Sequence, residues 1–395
     1  MVWSSPTSAA AGDGSHSDDR TRAVEGAILR RVEEQAGEWF PELGPPREVR
    51  LDQLVNRPRA VLYGVHVNGS STPQVLAKVR PEASGGEVGG WAGARPRLAT
   101  TSVSASELVA LEYAGLCAID AMLEPTDPDF AAVRPLAHLE GEDTILMDYV
   151  NGQTLRQVLL GQSRLPFHRS APQHGSETMW RRAGTWLRTY QHALPVARLP
   201  ARQAGREDVV ERFLAYDEFL VDRLGRRAFG DAALRGADLA AQLLPDRLSM
   251  AVGHGDFAPR NVFVLRDGRL AVFDPLPRWA VPRFEDLSRF LVACRLMGVQ
   301  LLTRGAAFSE TAMNRREQDL IEGYRGEADL ALPELRCHQL LITLDLWSAL
   351  VDIPAEGLRG RLREAAVTAM SGYLRRETER VADLIEAERG RTRPA

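Results

Sequence analysis

The chain has 395 residues, 44% hydrophobic and 26% charged, which is room for two or three domain-sized units with ordinary globular cores. Its formal net charge of −4 gives no basic footprint for nucleic acid or an anionic membrane, and no apolar run approaches the ~18 residues needed to span a bilayer, so a cytoplasmic protein is expected. Cys117, Cys294 and Cys337 lie far apart without CxxC spacing, which argues against a disulfide framework or zinc site and predicts buried, reduced thiols.

Met1–Asp19 is rich in Ser, Ala and Gly and reads as a disordered tail. Thr21–Trp39 carries Val24, Ile28, Leu29 and Val32 at helical spacing and predicts an amphipathic helix. Glu48–Leu54, Ala60–Val67 and Gln74–Val79, separated by turn signals, predict an antiparallel meander. Pro81–Thr101 reads as loop. Ser104–Leu116 reads as a helix with Ser104 at the N-cap and Glu107 in the capping-box position. Two more strands are expected near Ala132–His138 and Thr144–Tyr149.

Past Gly152 the pattern turns helical. Trp180, Ala183, Gly184, Leu187, Gln191 and Leu194 share one helix face, and Asp208–Leu224 reads as another helix. A short β insertion follows, with strands at Met250–Val252, Val262–Leu265 and Leu270–Phe273, before helices resume at Phe284. This order predicts an α+β, two-lobed architecture, an antiparallel sheet lobe followed by a mainly helical one.

The segment carrying chemistry is His254-Gly255-Asp256-Phe257-Ala258-Pro259-Arg260-Asn261, followed by a hairpin and Asp274. Each residue alone reads as a polar turn, an Asx cap or a strand end. Together they supply what phosphoryl transfer needs: a carboxylate to orient and deprotonate a hydroxyl, and oxygen ligands for a divalent cation. The segment resembles the H-G-D-x-x-x-x-N catalytic loop of the aminoglycoside phosphotransferase/choline kinase family, which has the two-lobed protein-kinase-like fold. The resemblance implies that Asp256 is the catalytic base, that Asn261 and Asp274 bind Mg²⁺, and that His254 is structural. Asp286 resembles the helix Asp that braces this loop, although an acidic first-turn residue also suits the helix dipole.

Lysine and arginine together number 49, and only Lys78 is a lysine. It sits in a strand of the meander, where kinases place a lysine that grips nucleotide phosphates beside a helix glutamate. Glu107 resembles that partner, with Glu112 the alternative. Met147, Asp148, Tyr149 and Val150 resemble the interlobe hinge that would receive adenine.

The resemblance implies an ATP- or GTP-dependent phosphotransferase acting on a small-molecule hydroxyl, with Mg²⁺ as cofactor. Sugar-, aminoglycoside- and nucleoside-containing acceptors are all compatible. Asp217, Glu218, Asp222, Glu322, Glu327 and Asp329 are acidic candidates for a cationic acceptor, and Arg278, Trp279 and Arg283 for others. A nucleotide-binding pseudokinase is the rival reading. A protein kinase fits less well: only eleven residues separate Asp274 from Asp286, no A-P-E triplet lies between them, and Gly255 stands where H-R-D has Arg. Two departures stand out. The turn Val55–Arg59 lacks glycine, and Pro275 follows Asp274. The expected organisation is a tail over 1–20, a nucleotide-binding lobe over 21–152, a helical lobe with catalytic loop and acceptor site over 153–388, and a tail over 389–395.

Overall fold

A computed structural model describes residues 14–57, 60–81, 95–96, 98, 104–165, 176–196, 199–201, 204–327, 330–352 and 357–392. Its contacts divide the chain into two units. The first comprises the described residues of Met1–Val88, Val103–Tyr113 and Arg134–Tyr149, and the second those of Gly89–Ser102, Ala114–Val133 and Val150–Ala395. The division therefore departs from a single cut at 152. Ala114–Val133 joins the second unit because Ile119, Leu123 and Phe130 are buried in its helical core.

In the first unit, helix α1 (Gly14–Trp39) precedes strands β1 (Val49–Arg57), β2 (Ala60–Val67) and β3 (Val75–Val79). Helix α2 (Ala105–Met122) begins here and crosses into the second unit after Tyr113. Strands β4 (Pro135–Leu139) and β5 (Thr144–Asp148) complete an antiparallel sheet of order β1-β2-β3-β5-β4. Alternation on β2 puts Tyr63, Val65 and Val67 on one buried face. Val24, Ile28 and Val32 of α1 share a core with them, which is what their helical spacing predicts. α1 starts at Gly14, so it enters the segment expected as tail; residues 1–13 lie outside the described part. β1 and β2 pair to Arg57 and Ala60, with a register shift between Gln53 and Val55. Pro58 and Arg59 of the glycine-free turn, and most of the expected loop at Pro81–Thr101, lie outside the described residues.

The second unit runs through β6 (Gly152–Thr154), α3 (Leu155–Gly161), α4 (Ser176–Ala193), α5 (Arg206–Leu224), α6 (Arg226–Phe229) and α7 (Ala232–Leu243). Strands β7 (Met250–Val252), β8 (Val262–Leu265), β9 (Leu270–Val272) and β10 (Ala280–Pro282) follow. It ends in α8 (Glu285–Arg295), α9 (Gly298–Leu302), α10 (Glu310–Arg325), α11 (Leu332–Val351) and α12 (Gly357–Thr392). The expected β insertion resolves into two sheets, β6-β8-β9 and β7-β10. One helical core gathers Trp180, Trp186, Phe257 and Phe290, and another Phe213, Phe229 and Trp347. Cys294 and Cys337 are buried as expected, whereas Cys117 is only half-buried. Among the described residues no helix is long and apolar enough to cross a membrane.

Candidate active site

The loop between β7 and β8 is held by backbone hydrogen bonds to one side chain. The amides of His254 and Gly255 donate to the two carboxylate oxygens of Asp286 at 2.6 and 3.3 Å. Asp286 lies in the first turn of α8 and is 1% exposed. Burial, and secondarily Glu285, push its carboxyl up to about 6, against the pull of Arg289 and the two amides. Gly255 has φ +82°, a left-handed conformation, and a Cβ there would lie 3.1 Å from the Leu276 carbonyl oxygen.

His254 is fully buried, with the rings of Trp186, Tyr190 and Phe257 centred 5.7–5.8 Å from its own. Burial lowers its pKa to about 4 despite the attraction of Asp256, Asp274 and the Phe273 carbonyl. It is neutral near pH 7, and its contacts are those of a packed support.

Asp256 emerges from this support with its side chain 31% exposed. One carboxylate oxygen pairs with Arg260; the other accepts from Asn261 Nδ2 at 2.8 Å. The same Nδ2 donates to the Asp256 carbonyl at 2.8 Å. With its nitrogen engaged twice, the amide of Asn261 turns its oxygen away from Asp256. The β8–β9 register puts Val262 opposite Val272, and the Phe273 amide donates to the Asn261 carbonyl at 2.9 Å. Asp274, at φ +57°, is therefore next to the residue bonded to Asn261. An amide oxygen and a carboxylate are the hard oxygen donors that Mg²⁺ takes, so this pair fits a divalent cation.

In the first unit, Lys78 is 6% exposed, and its Nζ lies 2.7 Å from Glu112 Oε1. The other oxygen of Glu112 takes Arg80 at 2.8 Å. The choice of Glu107 is thereby corrected in favour of the alternative. Five residues along a helix turn the side chain by roughly 140°, so 107 and 112 cannot face the same strand. Glu107 is exposed in the first turn, where its amide donates to the N-cap Ser104 Oγ at 3.1 Å.

In the segment resembling a hinge, Met147 is buried at 1% exposure. The Asp148 carboxylate pairs with Arg134 at 3.1 Å, and its amide donates to the Arg134 carbonyl. The Tyr149 amide donates to the Gln74 carbonyl at 2.8 Å. These two amides are engaged within the first unit, which removes them as donors to a purine.

The model of a phosphotransferase enzyme family matches residues 105–316, more than half of the chain. The chain belongs to this family. Three solved structures are similar at low identity. A choline/ethanolamine kinase family protein from Mesorhizobium loti has 13% identity and TM-score 0.46, covering 88% of this chain and 98% of that one. An amicoumacin kinase complex has 12% identity and TM-score 0.49, covering 89% and 96%. A macrolide 2′-phosphotransferase from Brachybacterium faecium has 13% identity and TM-score 0.46, covering 86% and 98%. A comparison with curated protein sequences finds no match. The family match starts beyond Lys78, so the reading of that residue rests on its own surroundings.

In the second unit of this small-molecule phosphotransferase, Asp256 opens on a cavity of about 320 Å³. Arg156, Arg260, Arg289 and Asp345 line it together with the apolar side chains of α8 and α11. Of these charged residues, Arg260 alone was visible within the catalytic motif; the others reach the site only through the fold. The acidic candidates do not line this cavity. Asp217 is tied to Arg226 at 2.7 Å, Glu322 is paired with Arg181, and Asp329 lies outside the described residues. Arg278 stacks on Trp279, and Arg283 on Tyr324.

Proposed function

We propose that this phosphotransferase moves the γ-phosphoryl group of ATP or GTP onto a hydroxyl of a small molecule, with Asp256 as the base. The reading is carried by one observation, the convergence of Asp256, Asn261 and the neighbouring Asp274 on a loop fixed by Asp286. The hydroxyl oxygen forms a bond to the γ-phosphorus. The bond from that phosphorus to the β–γ bridging oxygen breaks, leaving the nucleoside diphosphate, and the hydroxyl proton passes to Asp256. Asn261 holds Asp256 through its amide nitrogen, and the Arg260 guanidinium shares the carboxylate. Asn261 and Asp274 would hold Mg²⁺, which supplies neutralising charge to the phosphates when bound. Lys78, fixed by Glu112, would grip the phosphates, and the hinge-like segment Met147–Val150 would receive the base through groups other than the amides of Asp148 and Tyr149.

The test is phosphate transfer from ATP and GTP to panels of hydroxylated metabolites and antibiotics, read by mass spectrometry. Asp256→Asn is expected to lower kcat by at least ~10²-fold on any acceptor found, the scale of general-base catalysis. Transfer that survives this substitution undiminished overturns the base assignment. A chain that binds Mg²⁺-nucleotide but transfers phosphate to nothing supports the pseudokinase instead.

A further inference from the structure

We infer that the acceptor carries an anionic group, a carboxylate or phosphate, joined to an apolar body; this rests on the kinase reading above. The inference comes from the charges around the 320 Å³ cavity into which Asp256 opens. Five charged side chains line it: Arg156, Arg260, Arg289, Asp256 and Asp345. Two of them are neutralised by groups outside the lining. Asp345 takes Arg95 at 3.0 Å and the Tyr216 hydroxyl at 2.8 Å. Arg289 is paired with buried Glu285 at 3.0 Å. That leaves two guanidiniums against a single carboxylate, Asp256, which Arg260 already holds.

Arg156 is the second of these guanidiniums. Among the described residues it has no ion pair, and its side chain is exposed. Its position is fixed, because its backbone amide donates to the Pro259 carbonyl at 2.9 Å and ties α3 to the catalytic loop. The Arg260 side chain is 50% exposed on the same loop. A forked guanidinium suits bidentate recognition of carboxylate or phosphate. Val292, Leu296, Met297 and Ile342 add apolar lining to the same cavity. A polycation would meet two arginines there and no uncommitted carboxylate, an arrangement that disfavours it. An amphiphilic anion places its charge on Arg156 and Arg260, its apolar part on the α8–α11 side, and its hydroxyl at Asp256.

Three acceptor classes test this with the full chain, Mg²⁺ and either nucleotide. The anionic class is lactate, 3-hydroxybutyrate, 3-hydroxyoctanoate, glycerol 3-phosphate and ribose 5-phosphate. The neutral class is ribose, glucose and uridine, and the cationic class is kanamycin, spectinomycin and choline. Asp256-dependent transfer is expected in the anionic class, with kcat/KM rising along the hydroxy-acid series. Arg156→Glu is expected to raise the KM of the best anionic acceptor roughly 10- to 100-fold, the scale of losing a charge-assisted hydrogen bond, with Arg156→Lys intermediate. The same change in nucleotide KM would show that Arg156 serves the donor and would overturn the inference. Preference for neutral or cationic acceptors would also overturn it, yet leave the kinase reading standing. Absence of transfer in all three classes overturns both.

Discussion

Glu112 carries two cations, Lys78 and Arg80, while its own side chain is 1% exposed. Removing one partner of a buried ion pair leaves uncompensated charge in a poorly solvated place, at a cost of about 3–5 kcal/mol. Glu112→Ala is therefore expected to cost that much in urea unfolding. Glu107→Ala removes only an exposed first-turn charge, worth about 0.3–1 kcal/mol through the helix dipole. Equal effects of the two substitutions would contradict the pairing. The sequence offered both glutamates and no means of ranking them, because the capping-box spacing drew attention to Glu107. Which helix face meets β3 depends on packing, and Ser104 claims only the backbone of Glu107. Asp256, Asn261, Asp274 and His254 were legible for the opposite reason. Their contacts are local, set by one loop and one hairpin whose spacing is written in the chain. Arg156 and Arg289 were not, since each comes to the cavity from its own helix.

Among the elements, α4 and α10 approach through two glycines. A Cβ on Gly184 would lie 2.1 Å from the Leu320 carbonyl oxygen, and one on Gly323 would lie 1.8 Å from that of Arg181. Either substitution by alanine must push the helices apart, where overpacking costs about 1–3 kcal/mol or more. α4 also carries Trp186 and Tyr190, the rings against His254. Gly323→Ala is thus expected to lower both thermal stability and kcat, measured on the same preparation, although Gly323 is remote from the loop in sequence. Glu334, in the first turn of α11, gives a pH-dependent counterpart. Burial raises its carboxyl to about 7 against the pull of Arg283, from an ordinary value of 4.5. The folded state thus holds the proton more tightly, and stability is lost as pH rises from 4.5 through 7. Glu334→Gln is expected to stabilise at pH 8 by roughly 2–3 kcal/mol, with the gain vanishing near pH 4.5. A gain that grows on acidification would reverse the assignment. The long periodic elements, α1, α5 and β2, were readable from their patterns. β6 and β10, of three residues each, were not, whereas the equally short β9 was, because the Asp267-Gly268 turn marks its hairpin with β8.

At the scale of the whole molecule, the composition itself supplies a probe. The chain holds one lysine among 49 basic residues, so its ε-amine chemistry reports on a single position. Lys78 is 6% exposed and ion-paired to Glu112, two conditions that suppress its reaction with amine-directed reagents in the folded protein. An acyl-phosphate derivative of ATP or GTP reverses that disadvantage if it is bound, because it delivers its acyl group to an amine at the nucleotide phosphates. Such a probe is expected to acylate Lys78 in native protein, and excess ATP or GTP to prevent it. A simple amine reagent without a nucleotide is expected to modify Lys78 only as the first unit unfolds. Lys78→Arg keeps the charge but places a planar guanidinium in a slot occupied by a compact ammonium, and it is expected to abolish side-chain labelling and weaken nucleotide use. Peptide mapping by mass spectrometry separates the outcomes, since acylation confined to the α-amino group would show that Lys78 does not meet the phosphates. Because arginine stands at every other basic position, no second lysine can mimic a positive result.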